Sequence, residues 1–188
     1  MAEIVLFHHA HGMTSGFLSF ADLLRNDGHV VHTPDLYEGK TFRDLNDGVA
    51  HAEEVGFDTI IERGGAAAEG LPADVVYAGF SLGVLPAQML AQTKDGAKGA
   101  LLFHSCVPAS EFGRPWPAGV PLQIHSMDKD EWFELDVAEQ LVETIEDAEL
   151  FLYSGDGHLF ADNSLDDYDK DAAALLIERV LSFLDDIE

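Results

Sequence analysis

Short apolar runs alternate with longer stretches of helical periodicity along almost the whole chain. The first run, Ile4 to Phe7, is wholly apolar and rich in branched side chains, as in a strand covered on both faces. A loop with two glycines follows, and then Phe17, Leu18, Phe20, Ala21, Leu23 and Leu24 recur at helical spacing before Asp27-Gly28 closes the helix. His29 to Thr33 reads as a second strand, stopped by Pro34-Asp35. Residues 41 to 70 read as two helices, Thr41 to Glu54 and Asp58 to Ala68, parted at Gly56. Beyond them the alternation is regular. Strands are predicted at Val75–Ala78, Gly99–His104, Pro121–His125 and Ala148–Tyr153, and helices at Leu82–Gln92, Leu135–Glu146 and Asp169–Leu184. Strands alternating with helices predict an α/β chain, its mostly parallel sheet covered on both faces. Ligands of such sheets bind beyond the carboxyl ends of the strands.

One of those ends carries a distinctive turn. Gly79-Phe80-Ser81-Leu82-Gly83 joins a strand directly to a helix, which places a serine at the tip of a tight, exposed elbow. Glycines two residues either side fit a turn with no room for side chains there. The N–H of Leu82, at the helix start, points toward any oxyanion formed on Ser81. A serine nucleophile needs a base and an acid that orients the base, in the chain order serine, acid, histidine. The loop after the strand at Pro121 offers Asp128 and Asp130, and the loop after the last strand offers Gly157-His158. Both lie on the face that carries Ser81.

Length and composition narrow the setting. At 188 residues the chain is most simply one domain, residues 1–188. Its 35 acidic and 10 basic residues give a formal charge of -25, which disfavours nucleic acid and anionic membranes as partners. One cysteine, Cys106, excludes an internal disulfide and suits a reducing compartment. With no basic leader region and no apolar stretch of membrane-spanning length, a soluble, cytoplasmic protein is expected. His8, His9 and His11 lack the further ligands that a hydrolytic metal centre brings, so neither metal nor cofactor is expected; they should shape the cleft floor and the first loop. Cys106 lacks an elbow. Trp116, with Phe112 and Trp132, is placed in a loop beyond a strand end, as a lining of an apolar pocket.

These residues together resemble the dienelactone hydrolase family of α/β-hydrolases, along nearly the whole chain. The marks are Pro34-Asp35-Leu36-Tyr37, the elbow at Ser81, the segment His125 to Asp130, and Gly157-His158 with Phe160. The resemblance implies a three-layer αβα sandwich on about six strands, a small cleft without a large lid, and a catalytic triad. It favours Asp130 over Asp128 as the acid beside Ser81 and His158. It places the second oxyanion donor at Ala10, with Met13 as the alternative, alongside Leu82.

Two departures bear on substrate. The best-known members of that family use a cysteine nucleophile and a first-loop glutamate, where this chain has Ser81 and His9. Four residues past the catalytic histidine they carry an arginine that grips a substrate carboxylate, where this chain has Asp162. An exposed carboxylate beside the cleft would repel anionic substrates. The expected activity is hydrolysis of a small ester or lactone through an acyl-enzyme on Ser81, with His9 and Trp116 as cleft residues. The alternative is a non-catalytic, hydrolase-like protein that binds a small molecule or regulates. The sequence leaves the oligomeric state open.

Overall fold

The computed structural model describes residues 1–187. Six strands form one open sheet: β1 (Glu3–Phe7), β2 (Val30–His32), β3 (Val76–Phe80), β4 (Gly99–Phe103), β5 (Leu122–Met127) and β6 (Ala148–Tyr153). Their order is β2-β1-β3-β4-β5-β6, and every neighbouring pair is parallel. The helices are α1 (Ser15–Asn26), α2 (Leu45–Val55), α3 (Phe57–Ala67), α4 (Val84–Thr93), α5 (Leu135–Thr144) and α6 (Lys170–Asp186). The chain steps outward from β1 to β2 and then returns past β1 to β3. That reversal opens a crevice between the ends of β1 and β3, where open α/β sheets take their ligands.

Strand alternation divides the core into two layers. Val5, Phe7, Tyr77, Leu102 and Ile124 face α2, α3, α4 and α5, packing with residues such as Ile60, Ala87 and Leu141. Their neighbours Ile4, Leu6, Ala78, Phe80 and Leu101 face α1 and α6, against Phe17, Phe20, Leu176 and Val180. With both faces covered, the central strands β3 and β4 are buried at every position, as their continuous apolar runs require. The sandwich therefore has three layers.

Boundaries differ where a side chain takes over from the helix. The first helix of the 41–70 region starts at Leu45, later than its periodicity suggests, because the Asp44 carboxylate caps it by accepting from Asn46 N (2.8 Å) and Asp47 N. Phe42 N instead donates to His11 O, which ties this segment to the first loop. Gly56, at φ 91°, separates α2 from α3 in a conformation that favours glycine. Asp169 caps α6 in the same manner as Asp44 caps α2. Among the described residues no helix is long and apolar enough to cross a membrane.

Candidate active site

Ser81 sits where β3 meets a single 3₁₀ turn, Ser81–Gly83, that leads into α4. Its φ is 48°, left-handed backbone that a non-glycine residue adopts only when its surroundings enforce it. They do so here. A side chain at Gly79 would collide with the backbone of Gly83, and one at Gly83 with the carbonyl of Phe7 at the end of β1. The two glycines thus let α4 start directly against the neighbouring strand, and the serine is pushed out at the apex.

Three side chains from three strand ends meet there. Ser81 Oγ lies 2.8 Å from His158 Nε2, and His158 Nδ1 lies 2.7 Å from Asp130 Oδ2. The carboxylate only accepts, so Nδ1 carries the proton and Nε2 is left to accept from the serine hydroxyl. Asp130 is nearly buried, and its other oxygen accepts from Trp132 N at 2.9 Å. Asp128, the other candidate acid, points elsewhere: it is exposed, and its Oδ1 accepts from Gly155 N at 3.0 Å.

The cleft over Ser81 measures about 210 Å³. Ala10 and Leu82 line it together with Ser81 and His158. Among the described residues neither amide N–H donates to a turn or side-chain acceptor. The remaining walls come from α2 and α3 (Val49, Ala52, Phe57), from Val84 and Leu85 on α4, from Ser105 and from Trp132. Trp132 leans over His158, its ring centroid 5.7 Å from that of the imidazole at an interplanar angle of 33°. Phe57 and Trp132 are both about half exposed, which leaves an apolar mouth. Met13 lies away from this cleft, in a separate groove with Thr14 and Arg43.

Two residues expected in the cleft are elsewhere. Trp116 donates its indole N–H to Val120 O at 2.7 Å and lines grooves with Pro108 and Gly119, because its loop folds back along α5. His9 is fully buried beneath the first loop, its Nε2 2.7 Å from Asp162 Oδ2. Asp162 is likewise fully buried, so it is no exposed carboxylate at the cleft edge. Hydrogen bonds from His9, Ser164 and Thr14 outweigh its burial and hold its carboxyl well below the usual range.

The other candidates are structural. Burial, with Glu134 and Asp136 nearby, pushes the Cys106 thiol up to about 12, which leaves it protonated and inert. His8 accepts from Leu36 N at 3.0 Å, fixing the loop after β2. Among the described residues no three His, Cys, Asp or Glu side chains converge as a metal ion would require. Sequence reasoning missed Gln88 and Gln92 on α4. Both are buried, and they hold the loop after β4 through Val107, Ala109 and Arg114. Their polarity within a helix otherwise apolar on that face was the available signal.

The parallel sheet, the strained elbow and the crevice at the β1/β3 reversal define an α/β-hydrolase. The family model for the dienelactone hydrolase family matches residues 1–188, and the chain belongs to that family. No curated protein matches it. Among solved structures it is similar to a dienelactone hydrolase-like promiscuous phosphotriesterase from metagenomic libraries, with 15% identity and a TM-score of 0.78 over 100% of this chain and 87% of that one. A metagenome-derived lipolytic enzyme shares 15% identity, with a TM-score of 0.68 over 98% and 94%. Esterase 2 of Thermogutta terrifontis, phosphonylated by sarin, shares 18%, with a TM-score of 0.61 over 97% and 84%. At such identities these likenesses speak to the fold.

Proposed function

We propose that the protein is a serine carboxylic-ester hydrolase acting on a small, neutral ester or lactone. The observation that carries this is the continuous chain Ser81 Oγ, His158 Nε2, His158 Nδ1, Asp130 Oδ2, at 2.8 and 2.7 Å. Ser81 Oγ attacks the carbonyl carbon while His158 Nε2 takes its proton, and the carbonyl oxygen becomes an oxyanion. The N–H groups of Ala10 and Leu82 receive that charge, and each such donor contributes about 3 kcal/mol to the transition state. His158 then protonates the departing alkoxide, leaving an acyl group on Ser81. A water, deprotonated by His158, attacks the acyl carbon; collapse returns the proton to Ser81 and releases the acid. Asp130 stabilises the imidazolium formed in each half.

Substrate size and charge follow from the cleft. About 210 Å³ accommodates a short acyl or alcohol group, and among the described residues its walls carry no lysine or arginine to pair with a carboxylate. The net charge of -25 adds long-range repulsion of anions. The test is a fluorophosphonate probe and short p-nitrophenyl esters: wild type should be labelled at Ser81 and turn over, and Ser81→Ala should do neither. Folded wild-type protein that gives neither response would favour a non-catalytic binding protein.

A further inference from the structure

Two of the positions at which this chain departs from the dienelactone hydrolase pattern, His9 and Asp162, bond each other across 153 residues. Both side chains are fully buried, and neither touches the cleft. Among the described residues, every other bond around the Asp162 carboxylate also comes from a donor aimed at it: Thr14 Oγ1 on Oδ2, and Ser164 Oγ (2.6 Å) and Ser164 N (2.9 Å) on Oδ1. Gly16, at the start of α1, has no side chain because any Cβ there would collide with this carboxylate.

A carboxylate so surrounded dictates a tautomer. It offers only acceptors, so His9 Nε2 must carry the proton, and burial keeps the ring neutral. His9 Nδ1 is then bare. It accepts from His11 N at 3.3 Å, and His9 O accepts from Gly12 N at 3.0 Å. Ala10 lies between these two anchored residues, and its N–H is one of the two proposed oxyanion donors. Asp162, for its part, follows His158 by four residues in the loop that carries the proposed base.

We propose that Asp162 and His9 are positioning residues that hold the oxyanion loop in register with the loop bearing His158. Asp162 sets the tautomer of His9, and His9 in turn fixes the turn that presents Ala10 N–H. The inference rests on the serine-hydrolase reading of the cleft. It assigns the buried pair a task in catalysis without contact to substrate.

The test compares Asp162→Asn, His9→Leu and His9→Gln with wild type, by kcat and KM on p-nitrophenyl acetate and by the Ki of a short alkyl boronic acid. The boron accepts a lone pair from Ser81 Oγ and forms a tetrahedral anion that needs the oxyanion donors. In Asp162→Asn either orientation of the amide sets an N–H against another donor. We expect kcat to fall about 30-fold or more in Asp162→Asn and His9→Leu, KM to stay within about threefold, and boronate affinity to fall in parallel with kcat. A glutamine amide presents an acceptor and a donor much as the imidazole does, so His9→Gln should retain kcat within about fivefold. The ¹⁵N shifts of the His9 ring read the tautomer independently of activity: Nε2–H in wild type, altered in Asp162→Asn. Wild-type kcat in Asp162→Asn, an Nδ1–H tautomer in wild type, or a rise in KM with kcat unchanged would each overturn the proposal. An inactive, unlabelled wild type with the Nε2–H tautomer would instead sink the hydrolase reading, and with it the catalytic task of the pair.

Discussion

Acid should unfold this protein well before its carboxylates are neutralised, because of histidines buried in neutral form. Burial lowers His8 to about 4, and burial with the nearby Arg179 lowers His125 to about 3, from an ordinary 6.5. Each is satisfied as a neutral ring. His8 accepts from Leu36 N and donates from Nδ1 to His9 O (2.7 Å); His125 accepts from the Tyr153 hydroxyl (2.9 Å) and donates to Gln123 Oε1 (3.2 Å). A folded-state value below the unfolded one means that the unfolded chain takes up the proton first. The stabilisation is therefore complete above pH 6.5 and drains away as pH falls toward 4 and 3. At pH 5 the unfolded chain has bound nearly one proton at each site that the folded protein refuses, which removes about 2 kcal/mol per histidine. The two together remove about 4 kcal/mol, a large share of a typical domain's stability. His9 and His104, also lowered by burial, act in the same direction. With a urea dependence of about 2 kcal/mol per molar, the unfolding midpoint should drop by about 2 M between pH 7.5 and pH 5. His125→Gln removes one titrating group, so its loss over the same interval should shrink by about 2 kcal/mol, whatever its stability at pH 7.5. A wild-type midpoint unchanged between those pH values, or an equal slope in the variant, would refute the reasoning.

Two further outcomes concern the cleft. Replacing Asp130 with Asn leaves His158 Nδ1 facing an amide that can hold the wrong tautomer, so kcat on p-nitrophenyl acetate should fall by about 10⁴. Asp128→Asn, which disturbs only the bond from Gly155 N, should stay within about threefold; the reverse ranking would show that the acid is misassigned. Trp132→Ala removes both a wall of the mouth and a ring beside the developing imidazolium, the latter contributing about 0.5–1 kcal/mol at an exposed site. Its kcat should fall about two- to fivefold, and its KM should rise more for p-nitrophenyl butyrate than for the acetate, as steady-state kinetics would read; equal KM changes for the two would show that Trp132 does not contact the acyl chain.

How much of this the sequence discloses depends on the range of the interaction concerned. Strands β3 and β4 are legible because burial on both faces demands an unbroken apolar run, and the run is local. Ser81 is legible for the same reason, since the two glycines the elbow requires stand within two residues of it. The start of α2 is not legible locally because the hydrophobic period of Leu45 and Val49 reaches back to Phe42, while the capping carboxylate of Asp44 and the bond from Phe42 N to His11 O decide where the helix begins. Trp116 illustrates a different limit. An aromatic residue in a loop past a strand end is as well suited to capping α5 as to lining a cleft, and the bond from its indole to Val120 O settles which.

His9 and Asp162 show where residue-by-residue comparison misleads. Taken singly, each changes the charge at a position that matters in the family, and Asp162 alone reads as a repulsive carboxylate at the cleft edge. Taken together they form one buried pair, in which an acceptor-only carboxylate and a neutral imidazole bond each other inside the protein. The proposed preference for neutral substrates therefore cannot rest on Asp162. It rests on the cleft, whose walls at Val49, Phe57, Leu85 and Trp132 offer apolar surface and no cation. The charge of Asp162 is turned inward, onto His9, Thr14 and Ser164, and away from the cleft.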